Sequence, residues 1–280
     1  MSLTYRVARK QEFIEEAGPV LKWAGGKGRL LAQLEPMLPR QIRRYHEPFF
    51  GGGALFFRIQ PGEAFLSDLN DELICVYTVV RDRPMDLVTA LGQHRYEKNH
   101  YYRVRATNPD TLNQVERAAR TIFLNRTCFN GLYRVNRRGH FNVPMGRYSN
   151  PEICQKSKLL AASTVLAGAS VEQRDYRDVL NTAQSGDFVY FDPPYHPISK
   201  TANFTSYTSQ SFSEHDQKAL SDVFAELTDR GVMCMLSNSD TPFIRGLFKD
   251  FKVGTVVAPR AISRKSNGRQ PVNEVVVTNY

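Results

Sequence analysis

The stretch "FVYFDPPYHP" (residues 188–197) decides how this chain folds. Phe188, Val189, Tyr190 and Phe191 form a short apolar run with the composition of a buried strand. Asp192 then sets a carboxylate at the strand's C-terminal end, where open α/β sheets bind their ligands. Pro193 and Pro194 each fix φ and remove an N–H, so the turn is rigid and the Pro193 carbonyl has no adjacent donor. Asp192 and that carbonyl form an acceptor pair at fixed separation, and Tyr195 adds a flat ring beside them. Two acceptors and a stacking face match an exocyclic amino group on a flat base. Such a group donates two hydrogen bonds, and accepting both protons makes its nitrogen lone pair more available. No histidine or lysine base is then required. The competing reading is a proline-stiffened turn whose Asp caps a helix.

Working outward, the same strand–turn–helix rhythm recurs. "YHEPFFGGGALFF" reads as a short strand, three glycines and the start of a helix. "AFLSDLNDELICVYTVV" reads as a strand ending at Ser67 or Asp68 and a helix opening near Asn70 or Asp71, both good caps. A helix over Ser213–Thr228, the strand "VMCMLS", and two last strands, "FKVGTVVA" and "NEVVVTNY", complete an α/β architecture with a largely parallel, doubly wound, Rossmann-like sheet. Near the N-terminus Leu30, Leu31, Leu34 and Met37 or Leu38 repeat at helical spacing, with Pro39 closing the helix. The basic loop "PRAISRKSNGRQP" (residues 259–271) is expected to be mobile. Between Arg83 and Leu166 the rhythm changes: helical segments lead into "CFNGLYRVNRRGHFNVPMGRY", which reads as a β-hairpin. Residues 83–166 are therefore expected to be an inserted subdomain, with 1–82 and 167–280 forming the main domain.

Composition narrows the partners. Lys plus Arg number 37 against 28 Asp plus Glu, a formal charge of +9, which favours a polyanion. No apolar run approaches the ~20 residues that span a bilayer. Met1–Gly18 lacks the apolar stretch of a signal peptide, so a cytoplasmic location is expected. Cys75, Cys128, Cys154 and Cys234 are far apart, and the histidines show no HExxH or HxH spacing, so neither disulfides nor a metal site is expected.

The glycine loop supplies a cofactor class. Gly51, Gly52 and Gly53 directly follow a strand, and Asp68 lies at the end of the next one, where an acid accepts hydrogen bonds from ribose hydroxyls. The third glycine of a GxGxxG fingerprint would fall at Phe56, which disfavours a nicotinamide dinucleotide. Lys27 in "GGKGRLL" is followed by glycine, so this is no Walker A loop. The residues point to an adenosine-type cofactor without saying which; a plain glycine turn with a capping acid is the alternative.

"KWAGGK", "EPFFGGGALFF", "SDLN", "FNGLYRVN…FNVP.GRY", "DPPY", "FTSY" and "LSNSD" occur in the order found in the DNA adenine methylase (Dam) family. The chain resembles that family, including the adenine methylases of GATC restriction systems, from about Leu21 to Tyr280. The resemblance implies a methyltransferase sheet binding S-adenosyl-L-methionine, with a target-recognition subdomain inserted at 83–166. It implies that Trp23 and Lys27 hold the methionine end of the cofactor, that Phe50, Gly51, Gly52 and Gly53 pass beneath it and that Asp68 binds its ribose. Asp175 in "RDYRDV" would contact the cofactor's adenine, unless that stretch is a charged surface loop. Asp192, Pro193, Pro194 and Tyr195 would hold the target base, with Asp192 also near the cofactor. Phe50 departs from the smaller residue common in the family, and a packing difference is expected there.

For double-stranded DNA, the resemblance implies that Phe129 wedges into the base stack while Asn130, Leu132 and Arg134 face base edges. Lys22 would reach the outer guanine, and Pro144 and Tyr148 follow the same match. Arg is the commonest bidentate partner of guanine, and Leu suits a thymine methyl; an aromatic wedge suits an enzyme that flips a base. Phe129 and Leu132 read equally well as hairpin core, and Arg137, Arg138 and Arg147 as contacts to phosphate or solvent. The expected activity is methyl transfer to N6 of a flipped adenine, in GATC, by a monomer. Cytosine-N4 transfer and a catalytically inactive DNA-binding regulator are the rivals; the former class usually carries Ser where this chain has Asp192.

Overall fold

The computed structural model describes residues 6–7, 12–23, 25–136, 138–198, 212–258 and 272–280. The "FTSY" motif (residues 204–207), Arg137 and the basic loop at 259–271 lie outside the described residues. Strands β1 (Arg6–Val7) and β2 (Gln41–Ile42) pair in parallel as a small separate sheet. The main sheet contains β3 (Tyr45–Glu47), β4 (Ala64–Asp68), β5 (Ala169–Gln173), β6 (Phe188–Phe191), β7 (Met233–Ser239), β8 (Lys252–Ala258) and β9 (Val272–Thr278). Its spatial order is β5-β4-β3-β6-β7-β9-β8, and only β9 runs antiparallel to its neighbours. The first five places follow the 3-2-1-4-5 order of a Rossmann sheet, so the winding reverses between β3 and β6.

Ten α-helices connect the described strands: α1 (Leu31–Leu34), α2 (Ala54–Ile59), α3 (Asp71–Asp82), α4 (Pro84–Leu91), α5 (Lys98–Ala106), α6 (Gln114–Thr127), α7 (Lys156–Leu166), α8 (Val179–Thr182), α9 (Glu214–Asp229) and α10 (Pro242–Leu247). Their starts are written locally. Asn70 caps α3 by accepting from Leu73 N, and Asn113 with Glu116 and Ser213 with Asp216 form capping boxes on α6 and α9. The single helix expected over residues 30–38 is split into α1 and a 3-10 turn (Glu35–Met37), preceded by a separate 3-10 turn (Lys27–Arg29). Pro36 within that last turn cannot supply the N–H that a continuous helix needs.

Strand β6 shows how the core divides. Phe188 and Tyr190 join a cluster with Tyr45, Leu66, Val76, Ile122 and Leu166, whereas Val189 and Phe191 join Leu220, Phe224, Leu236 and Ile244. Alternate residues of one buried strand thus face opposite helical layers. Residues of α4, α6 and α7 (Leu87, Leu91, Ala118, Ala119, Leu159, Ala162) share the first of these clusters with the sheet. A smaller cluster, Tyr101, Phe123, Leu124, Cys128, Tyr133, Phe141 and Val143, underlies the segment after α6. That segment turns back as a hairpin, but with isolated bridges Val135–Phe141 and Cys128–Met145 instead of continuous strands. Phe129–Gly131 is wound into a 3-10 turn with Asn130 at φ 56°, which interrupts any ladder.

At the opposite end of β6 from the DPPY turn, fully buried Asp187 accepts hydrogen bonds from Arg43, Arg44 and Gln184 N and meets His46 Nε2 at 3.2 Å. Burial alone would raise its pKa, but these partners outweigh burial and hold the carboxyl well below its usual range. The contribution of a depressed carboxyl is complete above its unfolded pKa and disappears as pH falls through the folded value. Asp187→Asn should cost about 1.5–3 kcal/mol at neutral pH, because the hydrogen bonds from Arg43 and Arg44 lose their charged acceptor. In melts of both proteins from pH 7 to pH 2, the gap in Tm should narrow below about pH 4, the ordinary Asp range. A gap independent of pH would refute this account.

Candidate active site

The winding reversal places the C-terminal ends of β3 and β6 side by side. From β3 emerges Glu47-Pro48-Phe49-Phe50 and then the three glycines; from β6 emerges Asp192-Pro193-Pro194-Tyr195. Asp68 ends β4, next to β3 on the other side. The two stretches that the sequence singled out therefore share one crevice, at the position where such sheets bind ligands.

The glycine loop is packed too tightly for side chains. A Cβ on Gly53 would lie 2.4 Å from the Phe50 ring, and one on Gly51 would lie 3.0 Å from Trp23 Cδ1; both glycines have positive φ. Phe50 is buried edge-on against Tyr77 and Phe56, so the residue that departs from the family pattern is absorbed by the core. Trp23 covers Gly51 and Gly52 and packs on Tyr133, with centroids 5.0 Å apart. Asp68 Oδ2 accepts from Gly51 N and Oδ1 from Asn70 N, fixing the loop to the strand end while each oxygen keeps a further lone pair. Burial nonetheless raises the Asp68 pKa. Asp175 is placed apart from this group's hydrogen bonds: it caps the turn Tyr176–Asp178 by accepting from Arg177 N and pairs with the Arg177 guanidinium at 3.1 Å.

In the DPPY turn, Lys27 Nζ lies 2.6 Å from Asp192 Oδ1 and 4.6 Å from the centre of the Tyr195 ring, and it donates to Gly25 O. Asp192 Oδ1 is shielded from solvent, and Lys27 is its partner. Burial pushes the Asp192 carboxyl upward, Lys27 opposes this, and Glu274 adds to the rise. No hydrogen bond reaches the Pro193 carbonyl among the described residues. Pro194 O, in contrast, accepts from Gln217 Nε2 at 2.9 Å. Gln217 Oε1 in turn accepts from Asn238 Nδ2, and Asn238 Oδ1 accepts from His196 N. Gln217 and Asn238 are buried, so this pair clamps both sides of the turn from α9 and β7. Sequence reading named "LSNSD" without giving Asn238 a role, and nothing local marked Gln217. Glu47 was also missed: it is buried, accepts from Tyr45 OH, and is driven well above the usual carboxylate range by burial. Its only sequence signal was an acid ending a strand before Pro48.

The hairpin residues gather on another face. Buried Asn125 accepts from Lys22 N and donates to Lys22 O and Gly131 O, joining the "KWAGGK" segment to the "FNG" turn. A Cβ on Gly131 would fall 2.4 Å from Lys22 Cδ. Phe129 is 51% exposed, which is not the burial of a core residue, whereas Leu132 is partly buried against the hairpin cluster. Lys22, Asn130, Arg134, Pro144, Arg138 and Arg147 are exposed. Arg134 donates from Nε to Asn142 Oδ1 at 2.7 Å, and Pro144 O accepts from Phe129 N. Tyr148 OH donates to Cys128 O, and Lys22 Nζ stands 5.5 Å from the Tyr148 ring centre. The proposed base-reading side chains are thus brought together, while Asp175 stands at the far end of the crevice edge, after β5.

Among the described residues no group of His, Cys, Asp and Glu could hold a metal, and no helix is long and apolar enough to cross a membrane. The Rossmann-like sheet carries the glycine loop and the Asp-Pro-Pro-Tyr turn side by side at its reversal point. The chain belongs to the D12 class N6 adenine-specific DNA methyltransferase family, whose model matches residues 23–262. It is similar to the type II methyltransferase M1.LlaDCHI of Lactococcus lactis subsp. cremoris, with 43% identity over 270 residues covering 94% of this chain and 95% of that one. It is also similar to the type II methyltransferase M.MjaIII of Methanocaldococcus jannaschii (41% identity; 95% and 100% covered) and to the DNA adenine methylase of Serratia marcescens (36%; 91% and 96%). The protein is an adenine-N6 DNA methyltransferase, and cytosine-N4 transfer is set aside.

Because Lys27 restrains the rise in the Asp192 pKa, removing its ammonium should move the acidic limb of transfer to higher pH. Activity that needs ionised Asp192 is lost as pH falls through that pKa. Single-turnover methyl transfer by Lys27→Met, at saturating cofactor and DNA, should therefore fail at a higher pH than the wild type. An unmoved acidic limb would show that Lys27 does not act through Asp192.

Proposed function

We propose that the chain transfers the methyl group of S-adenosyl-L-methionine to N6 of an adenine flipped out of double-stranded GATC, in the cytoplasm. The observation that carries this reading is the Asp192 carboxylate, held by Lys27 at 2.6 Å, beside an unbonded Pro193 carbonyl and the Tyr195 ring. The crevice fits the cofactor. Asp68 keeps lone pairs for ribose hydroxyls, and Lys27 has a third N–H left for a carboxylate. Trp23 would pack along the methionine end, and Asp175 would serve the adenine end only by turning from Arg177. When bound, S-adenosyl-L-methionine supplies an electrophilic methyl group on a sulfonium.

The chain's own residues do the rest. Asp192 and Pro193 O accept the two N6 protons, which draws the amine toward a pyramidal geometry and frees its lone pair. Tyr195 gives the base a face to stack on, and Pro194 with the Gln217–Asn238 clamp holds the turn still. Asp68, Trp23 and Lys27 would hold the cofactor, which would supply its methyl group to N6 and be released as S-adenosylhomocysteine. Asp192 is the nearest acceptor for the proton that N6 then sheds. On the recognition face, exposed Phe129 would fill the space left in the stack, with Lys22, Asn130, Leu132, Arg134, Pro144 and Tyr148 facing the duplex.

Plasmid DNA incubated with the protein and S-adenosyl-L-methionine should become a substrate for a nuclease that cuts only adenine-methylated GATC. Methylated DNA that still resists this nuclease would overturn the GATC assignment. Arg134→Ala should lose about 1–3 kcal/mol of discrimination at one base pair of the site. Equal losses on GATC and scrambled duplexes would reassign Arg134 to phosphate.

A further inference from the structure

The prolines stiffen the backbone up to Pro194, but they leave the χ1 and χ2 torsions of Tyr195 free to rotate. Something else must fix the ring. Tyr195 OH donates to Glu274 Oε2 at 2.6 Å, across 79 residues of sequence. A phenol on a carboxylate makes a charge-assisted hydrogen bond, about twice as strong as a neutral one. Glu274 belongs to β9, where it lies in register with Ser239 of β7 on one side and Val256 of β8 on the other. Its backbone is therefore held by the sheet on both flanks. Among the described residues Glu274 forms no ion pair; its hydrogen-bond partner is the Tyr195 hydroxyl. A carboxylate is ordinarily matched with Lys or Arg or left to water, so this commitment to a phenol asks for an explanation.

We infer that Glu274 is a positioning residue for methyl transfer, holding the Tyr195 ring in the orientation that receives the target base. Lys27 above the ring and Glu274 at its hydroxyl then constrain it at two separate points. The inference also gives the reversed strand a task in the site: β9 brings an anchor to a turn that leaves the sheet from β6. It rests on the reading of Tyr195 as the ring that faces the target base.

A double-mutant cycle on single-turnover methyl transfer to duplex DNA tests it. Glu274→Ala should lower the transfer rate roughly 10- to 100-fold, the loss of a hydrogen bond to a charged group made in the reacting complex. DNA affinity should change by less than about twofold, so the effect falls on kcat and not on KM. Glu274→Gln keeps an acceptor and should lose less than roughly tenfold. Tyr195→Phe should slow transfer to a similar extent, and adding Glu274→Ala to it should cost less than about threefold more. Full activity of Glu274→Ala, or single losses that multiply in the double variant, would overturn the inference. If Glu274→Ala does not fold, the same cycle is run with Glu274→Gln, and multiplying losses overturn the inference there as well. A wild-type protein that methylates no adenine would instead bring down the underlying reading of the turn.

Discussion

A carboxylate taken out of water must be compensated, and for Asp192 the compensation is the ammonium of Lys27 at 2.6 Å. Without it, the acid that ends β6 would be driven further toward its neutral form. On the proposed mechanism it would then offer a proton where an acceptor is required. The rest of the crevice can be read as the scaffolding for that one pair. The Rossmann winding brings β3 and β6 together, the "KWAGGK" segment is folded over the glycine loop by Trp23, and Lys27 is thereby delivered to the end of β6. The glycines are required because any side chain at residues 51 or 53 would displace Trp23 or Phe50.

The turn itself is held from three directions by different elements. Gln217 of α9 grips Pro194 O, Asn238 of β7 grips His196 N, and Glu274 of β9 grips the Tyr195 hydroxyl. Pro193 O is left over, unbonded among the described residues. Two prolines in succession explain both facts: with no local N–H to close the turn, its carbonyls are available either to distant side chains or to a ligand. A buried network in which most members are satisfied is rigid, and on the proposed mechanism that rigidity lets the acceptors meet an incoming amine without rearranging.

The legible part of this architecture was local. Strand β6, the glycine turn, the cap of α3 at Asn70 and the start of α9 at Ser213 all follow from patterns spanning a few residues. The rigidity of the Asp-Pro-Pro-Tyr turn was legible for the same reason, since proline fixes conformation within its own residue. What escaped was long-range. Asn125 binds Lys22 across 103 residues, Gln217 reaches Pro194 across 23, and Glu274 reaches Tyr195 across 79. A buried Asn, Gln or Glu has no periodicity that distinguishes it from a surface one. The 30–38 helix fails for a different reason: the leucine spacing suits a helix, but Pro36 lacks the N–H that would continue it. The hairpin lay between these cases. Its inward aromatics Tyr133 and Phe141 gave its shape, but the left-handed Asn130 that breaks its ladder has no signature beyond the residue itself.

The central claim is that Asp192 works as a hydrogen-bond acceptor for the target amine. Asp192→Asn keeps the side chain's size and one acceptor oxygen, but puts a donor NH2 group where the second oxygen stood. Single-turnover methyl transfer to duplex DNA, measured beside DNA affinity, tests the claim most directly. The account predicts a rate lower by roughly 100- to 1,000-fold, the scale of removing one preorganised polar group from a transition state, with DNA affinity nearly unchanged. A variant that transfers methyl groups within a few-fold of the wild-type rate would contradict it.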